Sequence, residues 1–507
     1  MKKLTLLLLL LAAVLLCAGT ACAQEEATDI TPGTYISGTG YKSFWFLTDS
    51  DITGHWSGNY AEFTVESPEP IGSLYLKLDY NYNTYVVSDP ETGASAKVKR
   101  GYLHQYLDLQ ALLGCTPNKV TLSFTSGAVG LCELEVYSPG TPPDHVQQWQ
   151  QPWEGKTDIL LFSAHGDDEH LYYAGLLPLY AGQKKLNVQV VYMTDHRNFN
   201  FVRTHEMLDG LWAVGVRAYP VFGWFADFVC YDMQEAYDRY YNQYDTTWEE
   251  LEGFVVEQLR RFKPQVVVGH DIYGEYGHAM HQVYTDLLIS ALPLIEDRDS
   301  FPESAELWGT WKVKKVYLHL YWGNTMVMDY NKPLSAFDGL TAFQVSQRLG
   351  FPCHKTQQFV EYLVWLYGPN RDYDHTDRIT NYNPSKFGLY YTTVGYDVQK
   401  NDFMENLTSH AYVRRKAIAE AMLLTLEVPE PEPALPAEPV TEPVTEPTVP
   451  ETTAPTATVP ETTAPSKTET PHPLWIVIAA NAGILVVAVT VLIVGLVILK
   501  KRKKTEA

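Results

Sequence analysis

The stretch Ile159-Leu160-Leu161-Phe162-Ser163-Ala164-His165-Gly166-Asp167-Asp168-Glu169-His170 decides how this 507-residue chain is read. Its first six residues carry no charge, the mark of a strand buried on both faces. The rest is dense in ionisable groups, with His165, Asp167, Asp168 and Glu169 inside five positions. Such a cluster directly after a buried strand is costly unless opposite charge balances it. A second apolar strand, Val266-Val267-Val268, runs into Gly269-His270-Asp271, and Gly277-His278-Ala279-Met280-His281 follows a short loop later. His165 and Asp168, three apart in a turn, can converge on one cation. His278 and His281 share a face if their segment is helical. Two neutral imidazoles and a carboxylate form a common catalytic zinc set that leaves positions open for water and substrate.

Around this stretch, strand-like runs at 159–164, 188–193, 218–222 and 265–269 alternate with helix-like runs at 171–181, 202–214, 251–262 and 278–292. The alternation predicts an α/β fold, a doubly wound Rossmann-like parallel sheet, over residues 146–427. Ligands of such sheets collect at the carboxyl ends of the strands, where both clusters fall. Upstream, residues 24–145 hold short alternating runs, 61–65, 73–78, 120–124 and 131–136, between Gly, Pro and Asn turns. They predict a β-sandwich. Its pattern resembles galactose-binding or discoidin-like modules of carbohydrate enzymes; a supporting sandwich without a ligand is the alternative.

The two ends predict a compartment. Met1-Lys2-Lys3, an apolar run through Leu16 and the small-x-small site Ala21-Cys22-Ala23 read as a signal peptide, residues 1–23. Residues 474–499 are uncharged and long enough to span a bilayer. Lys500, Lys501, Arg502, Lys503 and Lys504 follow at once, which places the tail 500–507 in the cytoplasm. The expectation is a single-pass type I protein of the cell membrane with its catalytic part extracellular. Residues 428–473 hold thirteen of the 31 prolines and repeat Val-Pro-Glu-Thr-Thr-Ala-Pro at 449–455 and 459–465, an extended stalk.

A net charge of −22 argues against nucleic acid as a partner. Apolar residues at 46% with 19% charged exclude wholesale disorder. The four cysteines left after signal removal, Cys115, Cys132, Cys230 and Cys353, show no Cys-x-x-Cys spacing, so a thiolate zinc site is disfavoured. Cys115 and Cys132 are candidates for a disulfide.

At the two clusters the chain resembles the PIG-L/LmbE-like deacetylases. That family carries Ala-His-Pro-Asp-Asp-Glu after its first strand and Gly-His-Pro-Asp-His later. It also has an Arg-x-x-Glu helix ending in Leu-Gly-Val and a His-x-x-Gln, matched here by Arg203 to Glu206, Ala213 to Val216 and His354 to Gln357. The resemblance covers about residues 156–425. It implies a Zn²⁺-dependent hydrolase of N-acetylglucosamine-type amides, with an N-acetylated glycan or glycoconjugate as substrate. By position, His165, Asp168 and His281 become the metal ligands, Asp167 the general base, and a protonated His278 the stabiliser of the oxyanion. Arg203 becomes a candidate for holding substrate, with an ion pair to Glu206 as the alternative. Asp195 after the second strand and Trp224 after the third are candidates to line the sugar site. His205 and His270 read as hydrogen-bonding histidines, and Gly274-Glu275-Tyr276-Gly277 as a flexible loop or lid. Two departures stand out: Gly166 replaces Pro, which loosens the loop, and Ala279-Met280 replaces Pro-Asp. Two rival readings are a hydrolase of another N-acyl amide and a non-catalytic glycan-binding adhesin on the same fold.

Overall fold

The computed structural model describes residues 25–39, 44–79, 84–99, 101–125, 128–194, 196–358 and 374–425, all within one compact unit, Met1–Pro429. The expected signal peptide, stalk, bilayer span and basic tail lie outside the described residues. Among the described residues no helix is long and apolar enough to cross a membrane.

The N-terminal part is a five-stranded and a four-stranded antiparallel sheet. Alternation along Glu62–Glu66 and Lys119–Ser123 turns Phe63, Val65, Val120 and Leu122 inward. They share one apolar core with Leu74, Leu76, Leu131 and Leu134 of the four-stranded sheet, so the two sheets pack face to face. Cys115 and Cys132 are both free thiols, so the candidate disulfide between them is not formed.

The part that follows is built on a seven-stranded sheet. We number its strands β1 (Ile159–Ser163), β2 (Val188–Thr194), β3 (Val221–Phe225), β4 (Val266–Gly269), β5 (Lys315–His319), β6 (Thr325–Val327) and β7 (Lys386–Thr392). The order is β3-β2-β1-β4-β5-β7-β6. The first five strands are parallel; β7 runs antiparallel to β5 and β6. The expected parallel sheet is therefore a mixed one. Its last two strands come from the C-terminal third, where no β–α alternation announces them. Every residue of β1, β2, β4 and β5 is buried, because apolar clusters cover both faces of the sheet.

The expected helix over 171–181 is broken. A single α-turn, Asp168–Leu171, is followed by a π-helical turn, Pro178–Gln183. Gly175 between them has φ +101°, with the Tyr330 ring packed where a side chain would stand. Helix Trp248–Phe262 is started by a capping box between Thr247 and Glu250 and stopped by Lys263 in the left-handed region.

Candidate metal centre

Strands β1 and β4 are hydrogen-bonded neighbours, Ile159 opposite Val266 and Leu161 opposite Val268. Their carboxyl ends therefore open side by side, and residues 116 positions apart meet: His165 Nδ1 lies 3.2 Å from His281 Nε2. Asp168 Oδ2 is 3.3 Å from that His165 nitrogen and 3.6 Å from that of His281. Ligand bonds of ~2.0–2.1 Å in tetrahedral geometry require donor separations of about 3.3 Å. Three buried donors of suitable chemistry thus stand at the spacing of one small cation. The three expected ligands are brought together.

The turn after β1 is tightly held. Ala164 O accepts from Thr194, and the His165 N–H donates to Asp168 Oδ2 at 2.8 Å. Asp167 sits at φ +140°, ψ −25°, a conformation costly for a residue with a Cβ. Its N–H donates to Glu169 Oε2 at 2.9 Å. The Gly166 loop is not loose. Its N–H donates to His196 Nε2, its carbonyl accepts from Arg203, and a Cβ there would stand 2.4 Å from the Met207 side chain. A proline could not make the first bond.

His278 is the N-cap of helix Ala279–Leu294, not part of its first turn as the i, i+3 reading required. Its Nδ1 accepts from Met280 N–H, yet its ring still lies 17° from parallel with that of His281, centroids 4.8 Å apart. Burial, His165 and His281 push His278 down to about 2, which favours a neutral ring over the expected protonated one. Ala279 and Met280 are buried in the core beside the sheet.

Arg203 does not pair with Glu206. Its guanidinium lies 3.6 Å from Asp167 and 3.5 Å from Asp227, while Glu206 accepts from Thr356 N–H and Oγ1. Burial pushes the Asp167 carboxyl up to about 7 against the pull of Arg203. Burial opposes a proton on His165, but Asp227 and Asp168 outweigh it and raise that group to about 10.

Sequence reasoning missed two carboxylates. Asp227, after β3, lies 3.3 Å from His165 Nε2 and 3.4 Å from His196. Glu275 is fully buried, which corrects the reading of its loop as a lid. It accepts from Nδ1 of His281 and His319 at 2.6 Å and from Nδ1 of His270 at 2.9 Å. A carboxylate on Nδ1 turns Nε2 of His281 toward the cation and raises its basicity. The only sequence signal for Glu275 was its place between two glycines and two candidate histidines. His270 Nε2 accepts from Ala164 N–H, but it also lies 3.4 Å from Asp168 Oδ2 and joins Asp168 and His281 in a second candidate ligand set; His205 Nδ1 meets His104 of the N-terminal sheets at 2.7 Å. Trp224 is half exposed on β3 with its ring against Phe225, and Asp195 lies outside the described residues.

Several solved structures are similar to parts of this chain. The N,N'-diacetylchitobiose deacetylase of Pyrococcus horikoshii is 16% identical, with a TM-score of 0.31 over 48% of this chain and 86% of that one. A conserved protein of Thermus thermophilus is 16% identical, with a TM-score of 0.29 over 41% of this chain and 83% of that one. The CpGH89CBM32-6 protein of Clostridium perfringens is 14% identical, with a TM-score of 0.18 over 22% of this chain and 99% of its own. No curated protein sequence matches the chain. Residues 160–292, which run from β1 through His281, match the family described as PIG-L: GlcNAc-PI de-N-acetylase. The chain therefore carries a PIG-L family de-N-acetylase domain, and the buried His/Asp cluster is its candidate metal centre.

Proposed function

We propose that this protein is a zinc-dependent N-deacetylase of the cell surface, acting on N-acetylglucosamine-type groups of an extracellular glycan. One observation carries the reading: His165 Nδ1, Asp168 Oδ2 and His281 Nε2 lie 3.2–3.6 Å apart beside a carboxyl, Asp167, raised to about 7. The donor set suits zinc. When bound, zinc supplies Lewis acidity and brings the pKa of water toward ~7.

The chain's own residues do the rest. Asp167 takes the proton of the attacking water and passes it to the leaving nitrogen, a task suited to a pKa near the working pH. Arg203 holds the Asp167 carboxylate in place and, through Gly166 O, the loop that carries it. His278 donates Nε2–H to the developing oxyanion, a fixed dipole that needs no reorganisation during reaction. The signal peptide, the stalk 428–473 and the span 474–499 support an extracellular catalytic part, and hence an extracellular glycan as substrate.

The test is acetate release from N-acetylglucosamine oligomers by the purified protein. The reading requires release that stops on chelation and returns with zinc. No release from any N-acetylated glycan overturns it.

A further inference from the structure

The geometry points to a second divalent-cation site, formed by Glu169, His170 and His354, next to the turn that carries Asp167. It does not depend on the hydrolase reading.

All three side chains are fully buried, and one donor atom of each lies within 4.8 Å of the others. Glu169 Oε1 is 3.1 Å from His354 Nε2 and 3.7 Å from His170 Nε2. Cation–ligand bonds of ~2.0–2.2 Å bring donors to such separations. The two rings stand 65° apart with centroids at 5.3 Å, an edge-on pair beside the shared oxygen. A simple ion pair would use one imidazole; here two converge on a single carboxylate oxygen.

A second, independent observation concerns hydrogen bonding. Nδ1 of His354 makes no hydrogen bond among the described residues, and its Nε2 meets Oε1 of Glu169 only as a 3.1 Å ion pair outside hydrogen-bond geometry. Buried polar atoms left so are costly, and a cation coordinated by Nε2 of His354 and Oε1 of Glu169 would satisfy those two.

Both imidazoles pack directly against glycine backbone. A methyl group on Gly210 would stand 2.9 Å from Nε2 of both His170 and His354, and one on Gly350 would stand 2.3 Å from His170 Cε1. The two nitrogens thus converge over a position kept bare of side chain. Two imidazoles and a carboxylate favour zinc or a related transition ion over magnesium or calcium, which take oxygen ligands. The site is closed to solvent, as structural cation sites are. Bound there, the ion ties the segment around His354 to Glu169, whose other oxygen holds the N–H of Asp167.

Metal content of the purified full-length chain, after dialysis with zinc and removal of excess, tests this. Two equivalents are expected. H170Q and H281Q should each fall from two to one, and the double variant to none. In H281Q, chelation should lower the unfolding temperature. No zinc retained by H281Q, or occupancy unchanged in H170Q and H354Q, overturns the proposal. If H170Q and H354Q do not fold, anomalous scattering from wild-type crystals decides by the presence or absence of a peak between His170 and His354. Two equivalents without acetate release would sink the hydrolase reading and leave this one standing.

Discussion

Glu275 Oε2 accepts a hydrogen bond from Nδ1 of His281 at 2.6 Å, and so decides which nitrogen of His281 faces His165 and Asp168. Carboxylates in this position tune metal affinity by about 10–100-fold. E275Q should therefore weaken zinc binding by about that factor while the protein stays folded. Competition against a chromophoric chelator measures it, and an unchanged affinity would contradict the role given to Glu275.

D167N removes the proposed base without touching the three ligand atoms. Acetate release should fall by ~10²–10⁴ while zinc content stays at the wild-type value. A rate within a few-fold of wild type would remove Asp167 from the reaction.

Gly166 and Met207 form a packing pair. A methyl at 166 would lie 2.4 Å from Met207 Cγ and Sδ, so G166A should destabilise the protein by about 1–3 kcal/mol. M207A in the same chain should recover part of that loss, since the clash needs both partners. Denaturant titration of the two single variants and the double variant checks it; strictly additive losses would rule out the contact.

His104 and His205 join the antiparallel sheets to helix Arg197–Ala213 and are both buried. Burial pushes His205 down to about 3 and His104 well below its usual range. The unfolded chain therefore binds protons that the folded one does not. Their stabilising contribution is present above the unfolded value of ~6.5 and is lost as pH falls from there toward ~3. Melting temperatures measured between neutral pH and the acid limit of solubility should fall less steeply for H205Q than for the wild type. Parallel curves would show that the pair does not titrate in this way.

Much of the centre was legible in the chain alone. Unbroken apolar runs announce buried strands, and charge directly after them has to be compensated, so His165, Asp168 and the His278–His281 pair stood out before any coordinates, and the family resemblance singled out His165, Asp168 and His281. The N-terminal sheets showed in the alternation around Phe63 and Leu76. What stayed hidden lay at long sequence separation. Asp227 follows an ordinary aromatic strand, and only the adjacency of β2 to β3 and β1 brings it to His165. Glu275 looked like part of a glycine-flanked loop until His270, His281 and His319 were seen to close on it from three places in the chain. The antiparallel insertion of β7 between β5 and β6 has no local signature, because strand order is decided by pairing across long sequence separations. Residue type and period express local preference, and these the sequence determined. Which carboxylate compensates which imidazole depends on strand order, and only the tertiary structure decided that.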